Sequence, residues 1–84
     1  EGKIVEITGR VKFLMEKSTE KSTSEDMKYH IGLKTGGMFE FIMCYFDEAN
    51  KTQFEKLKKD QQITLKGMIM FYPSIKHTTV VEGN

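Results

Sequence analysis

Hydrophobic and polar residues alternate with a period of two from Lys3 to Lys17. Val5, Ile7, Gly9, Val11, Phe13 and Met15 fall on one side, and Glu6, Thr8, Arg10, Lys12 and Glu16 on the other. Alternation over that length predicts one long strand with a single buried face. Gly9 interrupts the apolar row, and a glycine inside a strand predicts a bulge or a sharp bend, as at a barrel corner. Ser18–Asp26 contains no apolar residue and reads as a mobile loop. Met27–Thr35 alternates again, with Met27, Tyr29, Ile31 and Leu33 against Lys28, His30, Gly32 and Lys34. Gly36-Gly37 is a two-residue hairpin signal. Met38–Phe46 is the returning strand and is apolar on both sides. Phe39, Phe41, Met43 and Tyr45 form one row; Met38, Ile42, Cys44 and Phe46 form the other, interrupted by Glu40.

Asp47–Asp60 changes to a helical pattern. Asn50 is placed as the N-cap, with Gln53 at the capping-box spacing. Phe54 and Leu57 are three residues apart and share one side of a helix. Lys56, Lys58 and Lys59 suit its C-terminal turn. Gln62–Tyr72 alternates as a fourth strand, with Ile63, Leu65, Gly67, Ile69 and Phe71 pointing one way and Thr64, Lys66, Met68, Met70 and Tyr72 the other. Pro73-Ser74 breaks it, and Thr78–Glu82 is a short fifth strand. The order strand, strand, strand, helix, strand, strand predicts an all-β fold. Specifically, it is a five-stranded Greek-key OB-fold barrel with one α-helix between strands 3 and 4. Phe54 and Leu57 would plug one end, and Gly9 would let the first strand serve both halves. An SH3-like barrel, the main rival, lacks a helix of this length at that place.

Eighty-four residues leave room for one domain, 1–84, or for part of a longer chain. Nine aromatics and 38% hydrophobic residues are the composition of a folded chain. The longest apolar run, Phe41–Phe46, is far short of the roughly 20 residues of a spanning helix, so no membrane insertion is expected of this segment. One Cys makes no intrachain disulfide, and with two His it makes a poor zinc site. Sheet closure has to stabilise so small a core without staples. No signal-peptide pattern is readable, and the compartment stays open. Thirteen basic against twelve acidic residues give a net charge of +1. That balance disfavours a dedicated duplex-DNA binder; any nucleic-acid contact must come from a local patch.

Three stretches resemble a known family. They are Gly2-Lys3-Ile4-Val5-Glu6-Ile7-Thr8-Gly9-Arg10-Val11, Phe41-Ile42-Met43-Cys44-Tyr45-Phe46, and Leu57-Lys58-Lys59-Asp60-Gln61-Gln62-Ile63-Thr64-Leu65-Lys66-Gly67. Together they are similar to the tRNA-anticodon-like OB-fold proteins of bacteria. The chain departs from that pattern at Asp60, where Gly is common, and at Gly83, near an expected Cys. The resemblance implies a nucleic-acid-binding OB-fold, often exported or membrane-attached, with the Cys and Phe of strand three in the core.

Strand three can face either way: with Ile42, Cys44 and Phe46 inside, as the resemblance implies, Phe39, Phe41, Met43 and Tyr45 face out; in the other orientation the aromatic row is the core and Cys44 is exposed. OB-folds bind single strands across strands two and three, where bases stack on aromatic rings. Arg10, Lys12, Lys28, His30, Lys34 and Lys66 are the candidate phosphate contacts, and Phe39, Phe41 and Tyr45 the candidate stacking residues. Tyr72, Lys76 and His77 fall in the expected loop between strands four and five, which commonly closes over the ligand. The expected partner is single-stranded DNA or RNA with little sequence preference. The alternative for the same aromatic row is a protein-interaction or homodimer surface. Cys44 reads as a small buried hydrophobe. His30 and His77 read as surface side chains, with metal ligation the rarer use. Lys56, Lys58 and Lys59 read as a solvated helix face, with a second phosphate-contacting patch as the other use. Nuclease chemistry needs clustered carboxylates, and the expected strands carry only the scattered Glu6, Glu16 and Glu40, with Glu82 at the end of the fifth. Neither catalysis nor a cofactor is expected.

Overall fold

The computed structural model describes residues 2–16, 28–36, 41–71 and 74–83. The loop expected over Ser18–Asp26, Gly37 of the hairpin signal, and the candidate residues Phe39 and Tyr72 lie outside the described residues. Five strands form: β1 (Ile4–Glu16), β2 (Tyr29–Lys34), β3 (Ile42–Phe46), β4 (Gln62–Ile69) and β5 (Ser74–Gly83). They close into a barrel in the order β1-β2-β3-β5-β4. Neighbours pair antiparallel except β3 and β5, which are parallel through Met43–Ser74 and Cys44–Ile75. A short helix, α1 (Lys51–Glu55), preceded by a 3-10 turn at Glu48–Asn50, connects β3 to β4. This is the five-stranded OB-type barrel that the element order predicts, with its helix in the expected interval.

β1 serves both halves of the barrel. Ile4–Arg10 pairs with β4 and Arg10–Glu16 with β2, so the handover falls next to Gly9. A side chain at Gly9 would overlap the Lys34 carbonyl oxygen and lie 2.9 Å from Leu33 Cγ. Glycine therefore lets β1 pass against the end of β2.

The alternation expected along β1 does not survive to its end. The register shifts between Val11 and Phe13, so Val11 faces Leu33 while Phe13 faces Gly32, Leu14 faces Ile31 and Met15 faces His30. One extra residue, Lys12, is inserted, and every later side chain changes sides. Leu14 turns toward the core, whereas Phe13 and Met15, expected inside, turn out.

The core consists of Val11, Tyr29, Ile31, Leu33, Cys44, Phe46, Phe54, Leu57, Ile63, Leu65 and Ile75, with Val5, Ile7, Leu14, Ile42, Ile69 and Val80 packed against it. Phe54 and Leu57 plug the barrel as expected. The Phe54 ring rests 5.3 Å from that of Tyr29 and 5.9 Å from that of Phe46. The helix, β4 and β5 differ from expectation. The helix is one and a half turns and not the whole of Asp47–Asp60. The Asn50 side chain makes no cap bond; it donates to the Thr78 carbonyl at 3.3 Å, and Gln53 Oε1 accepts from the Val80 amide at 2.7 Å. The β5 backbone thus takes the two side chains that the capping-box spacing assigns to the helix. β4 ends at Ile69, leaving Phe71 62% exposed. β5 starts at Ser74, several residues before the expected Thr78, and brings Ile75 into the core. No described helix is long and apolar enough to cross a membrane.

Candidate functional site

The outer face of β1, β2 and β3 is a grid of three cross-strand rows. Met15, His30 and Tyr45 form one row, and Phe13, Gly32 and Met43 the next. Arg10 faces Lys34 in the third row. Phe41 is the residue before Ile42, which pairs with Leu33, and so extends that row on the β3 side. The expected outward row of strand three is thus partly in place. Phe41, Met43 and Tyr45 are half-buried and Cys44 and Phe46 are inside.

Phe13 organises the face. A β-carbon on Gly32 would lie 2.6 Å from Phe13 Cζ and overlap Cε2, so the ring occupies the space that glycine leaves open. From there Phe13 meets Phe41 edge-to-face at 5.2 Å and His30 edge-to-face at 6.3 Å. His30 in turn packs against Tyr45 at 5.1 Å, tilted by 40°. Each such edge-to-face pair contributes about 0.5–1.5 kcal/mol beyond its buried area and fixes ring orientation. Phe13, His30, Phe41 and Tyr45 therefore form one connected cluster, in which Phe13, Phe41 and Tyr45 are half-buried and His30 lies beneath them. Sequence reading missed Phe13 because the bulge at Lys12 reverses its side. The signal that could have found it was Gly32, a strand glycine on the outer face, which marks a close approach by something else.

His30 was expected at the surface as a phosphate contact. The structure places it inside the cluster at 4% exposure, covered by Phe13 and Tyr45. Arg10, Lys12 and Lys34 are exposed at the end of the grid nearest Phe41, with Lys12 at the bulge itself. Lys28 lies at the start of β2, 3.9 Å from Glu48 and with its ammonium 5.5 Å from the centre of the Tyr29 ring. Lys66 is opposite Glu6 where β1 pairs with β4, apart from the aromatic face. Lys76 and His77 were expected in a loop but belong to β5. Lys76 is one residue past Ile75, the partner of Cys44, and so leaves the barrel on the same side as Tyr45. His77 sits at an irregularity of β5 with φ +54°, and its Nδ1 is 2.8 Å from an Asp47 carboxylate oxygen.

Cys44 is fully buried, and burial pushes its thiol up from 9.0 to about 12. Burial in the core thus disfavours the thiolate, and Cys44 packs there as a small hydrophobe. Among the described residues no group of three or more His, Cys, Asp or Glu side chains is placed to hold a metal ion. Neither family models, nor curated proteins, nor solved structures match this chain.

Proposed function

We propose that the protein binds single-stranded nucleic acid with little sequence preference, as a non-catalytic OB-type domain without a cofactor. The observation that carries this reading is the cluster in which the half-buried rings of Phe13, Phe41 and Tyr45 are held over the buried His30 and bordered by Arg10, Lys12 and Lys34. Aromatic faces stack any base, each stack adding roughly 1–3 kcal/mol, so such a surface has affinity without a sequence code. Arg10 and Lys34 are directly opposite on paired strands. Rings already packed edge-to-face lose little rotamer freedom on binding. The resemblance to the tRNA-anticodon-like OB-fold proteins supports the same reading.

The test is a titration of dT and rU oligomers at low salt, followed by a salt series. Phosphate contacts release counterions, so affinity is expected to fall steeply with salt. Replacing Lys12 and Lys34 should flatten that slope. Phe41→Ala should weaken binding with the slope nearly unchanged, because stacking releases no cations. Sedimentation of the wild type and of Phe41→Glu runs beside it. A stable dimer that Phe41→Glu converts to monomers, with no oligonucleotide binding at low salt, assigns the aromatic face to self-association and ends the nucleic-acid reading.

A further inference from the structure

Beside the aromatic face, where α1 hands over to β4, an open groove of about 600 Å³ is lined by Arg10, Lys56, Lys58, Lys59 and Asp60 among others. Four cations against one acid is a steep local excess in a chain of net charge +1. None of the three lysines makes an ion pair with a described residue, and all three are exposed.

The groove is held by a defined turn and not by loose side chains. Leu57 anchors one end in the core. The Gln61 amide donates to the Lys58 carbonyl at 3.2 Å, closing a four-residue turn with Asp60 third at φ +70°. The turn is then clamped to β1 on both sides of Val11: the Asp60 amide donates to the Val11 carbonyl at 2.7 Å, and the Val11 amide donates to the Gln61 carbonyl at 2.9 Å. Arg10 Nη1 donates to the Asp60 carbonyl at 3.0 Å, which draws the guanidinium toward the lysines. Arg10 is therefore common to both surfaces. Its backbone ends the row that holds Lys34, and its side chain lines the groove.

We infer that this groove is a second phosphate-binding segment, receiving the backbone of a strand that has crossed the aromatic face and leaves it past Arg10 and Lys34. The inference rests on the proposed function for its ligand class. It makes the binding site longer than the sheet: bases are held on the face, and only phosphates are held in the groove. A pre-set cradle of cations is suited to that second role, since it neutralises phosphates in any sequence.

The experiment compares two oligomers, of about four and about twelve thymidines, a range spanned by single OB-folds. They are titrated against the wild type and the Lys56→Gln/Lys58→Gln/Lys59→Gln variant. The lysines are exposed, so the variant should fold, and its unfolding midpoint checks this. On the longer oligomer, loss of three phosphate contacts should reduce the slope of log K against log salt by about 2, which at about 0.1 M salt is roughly a hundredfold weaker binding. On the shorter oligomer the two proteins should agree. A variant that matches the wild type on the longer oligomer overturns the groove while leaving the aromatic face standing. An equal loss on both oligomers also overturns it, since the lysines would then act as a general field. Failure of the wild type to bind either oligomer overturns the groove together with the function on which it rests.

Discussion

Replacing Gly32 with alanine tests the organisation of the aromatic face directly. The added methyl group overlaps the Phe13 ring edge, with Cζ at 2.6 Å and Cδ2 at 3.0 Å, where ordinary carbon contacts lie beyond about 3.5 Å. The ring must therefore move by on the order of 1 Å. That displacement disturbs its edge-to-face contacts with Phe41 and His30, together worth about 1–3 kcal/mol. Replacing a strand glycine recovers roughly 0.5–1 kcal/mol of backbone entropy. The net expectation is a loss of about 0.5–2 kcal/mol, a fall in melting temperature of several degrees for a domain of this size. Urea unfolding followed by circular dichroism measures it. The diagnostic step is to repeat the substitution in a Phe13→Ala background. With no ring to collide with, Gly32→Ala should then be neutral or stabilising, so that the double-mutant cycle shows a coupling above about 0.5 kcal/mol. An equal cost in both backgrounds would place the clash elsewhere and refute the account of Phe13 as the ring seated over Gly32.

Other outcomes follow from the same structure. Asp60→Gly should stabilise the fold by up to about 1 kcal/mol in urea unfolding, because φ +70° burdens any residue with a β-carbon. Leu57→Ala should lower stability by about 2–5 kcal/mol by opening the plugged end of the barrel, seen as an early unfolding midpoint. Cys44 should resist a thiol reagent at pH 8 in the native protein and react at once in urea; rapid native labelling would contradict its burial. Because its folded pKa is raised, its contribution to stability is fully present below pH 9 and declines from there to about pH 12, where the unfolded chain releases the proton and the folded chain keeps it.

The barrel was legible in the sequence because its information is local. Period-two alternation locates strands whose one face is buried, and Phe54 and Leu57 stand out as a pair to be inserted. The order of elements then leaves few ways to close a sheet. The division of β3 into an inner Cys44–Phe46 side and an outer Phe41–Tyr45 side was legible as one of two choices. What remained hidden depends on contacts between residues far apart in sequence. The bulge at Lys12 follows from how β1 must pair with β4 and β2 in turn, and it moves Phe13 from the expected core to the centre of the outer face. His30 alternates as an outward residue, but neighbours on two other strands bury it. Asn50 and Gln53 carry a helix signal that is local, yet the tertiary fold offers them the backbone of β5, and they take it. Arg10 and the lysines after Leu57 are some fifty residues apart in the chain, and no local pattern announces that they share a groove. A strand's existence is decided by which of its own side chains repel water; the neighbour of each outward side chain is decided by register, which only the closed barrel sets.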